Sequence, residues 1–365
     1  MSKTLRAIGL MSGTSLDGID VAYLETDGEG QVKRGPSATY AYDEKQQAAL
    51  RQALVDALSI TGRSQRPGSL SKTEQALTQW HIKAVESFSK HHGLSDSNVD
   101  VIGFHGQTVL HKPELGLTVQ LGLGQALANA TKIPVVYDMR AADVAAGGQG
   151  APLVPIYHAA LARARPCAFV NIGGVANVTF IGSTEELLAF DTGPGNALIN
   201  DWMMQHKGVA YDEGGAAALR GKISQSQLAT AMAHDFFVEK PPKSLDRNSF
   251  AGLDFTSLSL EDGAATLAAF TAHALAASAK WFSAAPKQWI ICGGGRHNAA
   301  IMRDLQAVLP NVVIAETLGL NGDSMEAEAW AYLAVRSLQG LPLTFPGTTG
   351  VKAALTGGVL AKPTK

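Results

Sequence analysis

The sequence predicts an α/β protein made of two halves built on one plan, and three observations predict it. Its glycines concentrate in short clusters that directly follow apolar runs, the strand-then-tight-loop pattern of α/β proteins, whose ligands meet loops at strand ends. A strand–loop–strand unit at residues 5–24 recurs at residues 168–181 without any likeness of sequence, an internal repeat of architecture. The length, 365 residues, suits two domains.

The first strand is Leu5 to Met11, the loop Ser12-Gly13-Thr14-Ser15-Leu16-Asp17-Gly18 is turn chemistry, and Ile19 to Leu24 alternates as a returning strand. Glu44–Leu58 and Ser71–His92 carry apolar residues at helical spacing. Val99–Phe104 and Val135–Asp138 read as strands that feed His105-Gly106-Gln107-Thr108 and Met139-Arg140-Ala141-Ala142-Asp143. Residues 144–155, rich in Ala, Gly and Pro, mark the crossing between halves. In the second half, Ala168–Ile172 and Val178–Ile181 flank the turn Gly173 to Asn177, and Trp289–Cys292 empties into Gly293-Gly294-Gly295-Arg296-His297-Asn298. A helix over 298–308, a strand at Val312–Ile314 and a helix over 323–338 follow, and the tail after Leu341 reads as poorly regular. The expected first lobe is 1–143 with 342–365, and the second is 144–341.

Lys+Arg and Asp+Glu number 30 and 32, so the net charge is −2. That balance gives no reason to expect nucleic acid or an anionic membrane as partner, and phosphate recognition must be local. Two cysteines, Cys167 and Cys292, sit in or beside apolar strands and read as buried free thiols of a reducing compartment. The apolar run Ala7–Met11 is too short for a signal-peptide core, and the Ala-rich stretch 264–279 falls short of a membrane span. The expectation is a soluble cytoplasmic protein.

Six loops could carry chemistry. Residues 12–18 combine glycines, hydroxyls and a carboxylate, which are what a phosphate cradle with a metal nearby requires, although no Gly-Lys-Ser/Thr ending makes it a Walker loop. Asn171 to Asn177 is its partner hairpin, and two such hairpins can clamp a phosphate chain from both sides. Gly293, Gly294 and Gly295 at a strand end let a flat ring approach the backbone, while Asn298 stands where a dinucleotide fingerprint would need its last glycine. In Asp191-Thr192-Gly193-Pro194-Gly195-Asn196 a carboxylate is held beside a stiff bend, the fixed placement that a general base requires. Arg140 and Asp143, with His105 and Gln107, suit a polar ligand bearing hydroxyls and a carboxylate. Glu326 either projects from a helix start or completes a capping box with Asp323 or Ser324. Taken singly, each loop also reads as an ordinary turn, ion pair or cap.

Taken together and in this order, the strings resemble one family. Gly9 to Asp20, Phe104 to Thr108, Ala146 to Leu153, Asn171 to Gly174, Asp191 to Asn196 and Met325-Glu326-Ala327 are similar to the signatures of the anhydro-N-acetylmuramic acid kinases, over nearly the whole chain. The resemblance implies a two-lobed actin/hexokinase-like fold, a duplicated ribonuclease H-like plan with a cleft between the lobes. It implies ATP with Mg²⁺, bound by Ser12, Gly13, Thr14, Ser15, Asp17, Gly18, Asn171, Gly173, Gly174, Gly293, Gly294, Gly295 and Asn298. Many members of the wider superfamily begin the first loop with Asp-x-Gly and carry an aspartate at the second hairpin, whereas this chain has Leu10-Met11-Ser12-Gly13 and Asn171, which leaves Asp17 as the nearest metal ligand. The implied reaction opens the 1,6-anhydro ring of anhydro-N-acetylmuramic acid with water and phosphorylates O6, in bacterial cell-wall recycling. Asp191 is then the base, and His105, Gln107, Arg140, Asp143 and Glu326 bind the sugar. Lobe closure would exclude bulk water, and a homodimer is implied. Two other readings stay open on the residues alone: an actin- or chaperone-type ATPase without a sugar, and a glycoside hydrolase using Asp191 with Glu326.

Overall fold

A computed structural model describes residues 3–364 apart from positions 14, 247, 248 and 251. The chain divides into two compact units, one of Met1–Leu161 with Ser324–Lys365 and one of Ala162–Asp323. The first unit opens with β1 (Leu5–Ser12), β2 (Gly18–Thr26), β3 (Val32–Ala41), β4 (Val101–Lys112), β5 (Leu117–Leu121) and β6 (Val135–Tyr137). The second contains β7 (Cys167–Ile172), β8 (Val175–Ile181), β9 (Leu187–Pro194), β10 (Trp289–Cys292) and β11 (Val312–Ile314). The last strand, β12 (Val359–Ala361), returns to the first unit and pairs with β6.

The two sheets share one topology. In the first, the strands run β3-β2-β1-β4-β6, with β1, β2 and β3 antiparallel and β4 and β6 parallel to β1. In the second they run β9-β8-β7-β10-β11, again an antiparallel meander of three followed by two parallel strands. This is the duplicated ribonuclease H-like α/β plan, and it is the repeat that the strand–loop–strand units foreshadow.

Alternation along each strand decides what covers each face. In β1, Ile8 and Leu10 join Leu77, Val85 and Phe88 of the helix Leu70–His92 in one core. On the other face, a Cβ at Gly9 would lie 1.8 Å from the Ala327 carbonyl oxygen, and one at Gly103 would lie 2.0 Å from that of Trp330. The helix Met325–Leu338 therefore rests on β1 and β4 at backbone contact. That contact, with Tyr157 Oη donating to Glu328 at 2.6 Å, places residues 144–161 and the helix Met325–Leu338 in the first unit. The boundaries expected at 143/144 and 341/342 differ from this because neither the close approach nor the buried contact leaves a trace in local composition.

In the second unit, the Ala-rich stretch is the buried helix Leu260–Ser278, capped by Ser259 accepting from the Asp262 amide. Its Phe270 meets the rings of Phe237 and Phe250, in one core with Phe236 and with Val170, Val178 and Phe190 of the sheet. The tail is more regular than expected: it holds the short helix Pro346–Thr349 as well as β12. Among the described residues, no helix is long and apolar enough to cross a membrane, and both cysteines are buried and free.

Candidate active site

Asp191 lies inside β9, not on a loop, beside a register shift that pairs Ala176 with Gly193 but Asn177 with Asp191. Such a bulge re-aims the side chains next to it. The segment after the helical turn at Asp235–Val238 crosses this point. The Asp191 amide donates to the Lys243 carbonyl at 3.1 Å, and the Leu245 amide donates to Asp191 Oδ2 at 2.8 Å. Burial pushes the carboxyl up to about 6, and the Leu245 hydrogen bond opposes it. A carboxylate that changes state near pH 6, with one oxygen anchored, suits proton abstraction close to neutrality. Beyond it, the chain turns through Gly195, whose amide donates to the Gly174 carbonyl at 2.9 Å. Asn196 caps the join by donating to the carbonyls of Ile172 and Gly173 at 3.2 and 3.1 Å.

In the first unit, β4 runs on through His105 and Gln107, which the sequence places after a strand; both lie within it. Burial and the neighbouring Arg140 hold His105 well below its ordinary value, so it is neutral. Its Nδ1 lies 3.1 Å from the Ser12 carbonyl and its Nε2 3.1 Å from Arg140 Nη2, so Nδ1 carries the proton and Nε2 accepts. Arg140 also donates to the Gly150 carbonyl at 2.9 Å and lies 5.1 Å from the centre of the Trp330 ring. Its Nε has no partner among the described residues. Burial lowers the guanidinium to about 10, still charged at neutral pH. Glu326 is half-buried on the first turn of its helix. Burial raises its carboxyl, Arg140 opposes, and Asp20 and Asp17 add to the rise. The capping-box reading is not realised: Ser324 makes no side-chain cap, and Asp323 pairs with Arg296 at 2.8 Å.

Several expected ligands are committed internally. Ser12 is fully buried and joins Gln107 Oε1 at 2.6 Å and Tyr42 Oη at 2.8 Å, while Gln107 Nε2 donates to the Gly13 carbonyl at 3.2 Å. This pair shapes the first loop from below. Asp143 is buried, with Gly150 donating to Oδ2 at 2.6 Å and Thr349 to Oδ1 at 2.7 Å; it fixes the loop that orients Arg140. Asn298 caps the helix Ala299–Val308 by accepting from the amides of Ala300 and Ile301. Asp17 is exposed at the loop end and accepts from Ser15 Oγ at 2.8 Å. Thr14, named in the same loop, lies outside the described residues.

The glycines separate into two groups. A Cβ on Gly18, Gly293 or Gly295 would meet Tyr40 O at 2.6 Å, Asn171 Oδ1 at 2.2 Å or Ile172 Cγ2 at 2.2 Å, so packing alone requires glycine there. At Gly13, Gly173 and Gly174 the nearest atoms are at 3.6, 3.5 and 3.8 Å, and at Gly294 nothing lies within 4 Å. None of these four has a left-handed φ. Backbone left open in this way can admit a ligand group.

One buried cluster escapes sequence reasoning. Glu328 accepts from Arg34 Nε at 2.9 and 3.0 Å, Tyr157 at 2.6 Å and Ser324 at 3.2 Å. Glu328 reads as one more acid on a helix, and its partners are remote in sequence. The Leu245 amide is equally invisible, since a backbone donor has no residue signature.

The second unit carries a half-buried, raised carboxylate, the first an arginine with an unpartnered Nε among the described residues, and each a glycine loop with room at the backbone, on a duplicated ribonuclease H-like plan; polar groups of these kinds suit an enzyme of group transfer. The family described as anhydro-N-acetylmuramic acid kinase matches residues 5–363. A relative from Rhodopseudomonas palustris named anhydro-N-acetylmuramic acid kinase is 52% identical over 365 residues, covering 98% of this chain and 100% of the relative. Relatives of the same name from Methylobacterium nodulans and Rhizobium etli are each 51% identical, covering 98% of this chain and 100% and 98% of their own lengths. The chain belongs to the anhydro-N-acetylmuramic acid kinase family.

Proposed function

We propose that this chain uses ATP and water to open the 1,6-anhydro ring of anhydro-N-acetylmuramic acid and to phosphorylate O6. The products are N-acetylmuramic acid 6-phosphate and ADP, and the setting is cell-wall sugar recycling. The observation that carries the reading is Asp191: a half-buried carboxylate raised to about 6, with one oxygen anchored by the Leu245 amide. Asp191 takes a proton from water as the water oxygen bonds to the anomeric carbon. The C1–O bond of the bridge breaks, its electron pair stays on the 6-oxygen, and that oxygen attacks the γ-phosphorus as the bond to ADP breaks. Arg140, held by His105 and Gly150, meets polar substituents of the sugar, and Glu326 binds the sugar's hydroxyls. Gln107 and Asp143 act through the loops they shape.

Phosphate ligands are assigned to the hairpin amides of each unit, at Gly13 and Ser15 in the first and at Gly173 and Gly174 in the second. Ser12 and Gly18 frame the first hairpin and Asn171 the second. The glycine turn Gly293–Gly295 with the Asn298 cap takes the adenosine. No three metal-ligating side chains gather among the described residues. A magnesium ion carried in by nucleotide phosphates needs only one or two carboxylates, and Asp17 is the residue that would hold it. Bound there, the ion supplies charge neutralisation of the phosphates. A cytoplasmic homodimer completes the proposal.

The test is an assay with ATP and the anhydro-sugar, each alone and together, with the phosphate position determined by NMR. Consumption of both with phosphate on O6 is expected. Sugar turnover without ATP, or ATP consumption indifferent to the sugar, would overturn the reading.

A further inference from the structure

Ladder register in the second unit sets a row of polar residues across the sheet. Cys292 of β10 pairs with Asn171 of β7, Asn171 with Asn177 of β8, and Asn177 with Asp191 of β9. Direct partners share a face and bring their Cβ atoms to about 4.5–5.5 Å. The opposite face is the packed one: Val170, Ile172, Ala176, Val178 and Phe190, the chain neighbours of this row, all belong to the core cluster. The row therefore occupies the face away from that core, beside the glycine hairpin. Asn171, Asn177 and Asp191 are each half-buried amid buried neighbours.

The backbone of Asn177 belongs to the ladder, and its side chain has no hydrogen-bond partner among the described residues. Its amide keeps access to solvent, so a water molecule can take up its donor and acceptor. Thr192 and Asn196 nearby are engaged within the protein. Thr192 donates to the Ala176 carbonyl at 3.1 Å, and Asn196 to the carbonyls of the hairpin. Asn177 alone stands next to Asp191, with its donor and acceptor both unused.

We propose that Asn177 is a second water-holding residue, whose side-chain amide, beside Asp191 across the β8–β9 ladder, orients the water that attacks the anomeric carbon. This rests on the ring-opening reading above. Water offers two protons and two lone pairs. Asp191 accepts the proton that will leave, Asn177 Oδ1 accepts the other, and a lone pair is left facing the carbon. Asn177 gains and loses no proton in the step. An amide serves here where a second carboxylate would not, because two acids side by side hold one of the pair protonated. The charged groups around Asp191 leave this pairing undisturbed. Lys243 of the crossing segment turns its Nζ to the Phe236 carbonyl and ring, and Cys292 is raised by burial to about 12 and stays a thiol.

The experiment compares wild type with Asn177→Ala, Asn177→Ser and Asn177→Asp, with thermal melts to certify folding. Expected for Asn177→Ala is a fall of about 10²-fold in kcat with ATP affinity within about twofold of wild type, partly restored in Asn177→Ser. In Asn177→Asp the acidic limb of the kcat profile moves up by about one pH unit, because the new carboxylate faces Asp191. A purely structural role would not move that limb. Should the Asp variant not fold, the recovery from Ala to Ser decides the matter. A kcat for Asn177→Ala within about threefold of wild type, an unmoved limb in a folded Asp variant, or no recovery in Ser overturns the inference. Failure of wild type itself to turn over strikes the proposed function instead.

Discussion

Asp191 combines two demands that conflict. The proposed proton abstraction needs it ionised, and its half-buried setting penalises the charge, which is why its carboxyl rises to about 6. Two outcomes follow. The rate falls about tenfold per unit below pH 6 as the base protonates, visible in a kcat–pH profile. The charge penalty also sets the sign of a stability effect. The folded value lies above the unfolded one, so the group's contribution is full below about pH 4 and is lost as pH rises through 6. Asp191→Asn therefore lowers turnover by about 10²–10⁴-fold with ATP still bound, and raises Tm at pH 7 relative to wild type but not at pH 4. A melt at the two pH values checks the second point. The sequence discloses Asp191 through its Gly-Pro-Gly neighbourhood. It does not disclose the Leu245 amide, since a backbone donor delivered by a crossing segment is a product of the fold.

Elements place the remaining residues. His105 and Gln107 sit in β4 because the strand continues past the point where apolar character fades, and hydrogen bonds to the first loop sustain it there. His105 is a strut for Arg140, so His105→Ala raises KM for the sugar by about tenfold while KM for ATP stays near wild type, measured by steady-state kinetics with each substrate varied; the loss is about 1.4 kcal/mol of binding. The helix Met325–Leu338 lies on β1 and β4 only because Gly9 and Gly103 leave room. Gly103→Ala forces a backbone shift and destabilises by about 1–3 kcal/mol or more, read from urea unfolding. Gly294→Ala, at a position open on the protein side, leaves the urea midpoint nearly unchanged and weakens ATP binding. The strand-end glycines were legible as a set from the sequence. Their division into those that packing needs and those it does not required the coordinates, because both kinds follow apolar strands in the same way.

At the scale of the molecule, each unit repeats an antiparallel meander followed by two parallel strands, and each carries a glycine hairpin at corresponding strand ends. The repeat was visible in the sequence as architecture, since apolar runs and turns keep their order even where residues diverge. The unit boundaries were not, because the helices Pro155–Leu161 and Met325–Leu338 join the first unit through contacts far apart in sequence. In the proposed reaction water takes C1, and the bridge oxygen stays with C6 to receive the phosphoryl group. Anhydro-sugar carrying ¹⁸O in its 1,6-bridge tests this most directly. After turnover with ATP, the label is predicted in the ester oxygen joining C6 to phosphorus, detected by ³¹P NMR and mass spectrometry. Label found at the anomeric position, or in a sugar product bearing no phosphate, would contradict the account.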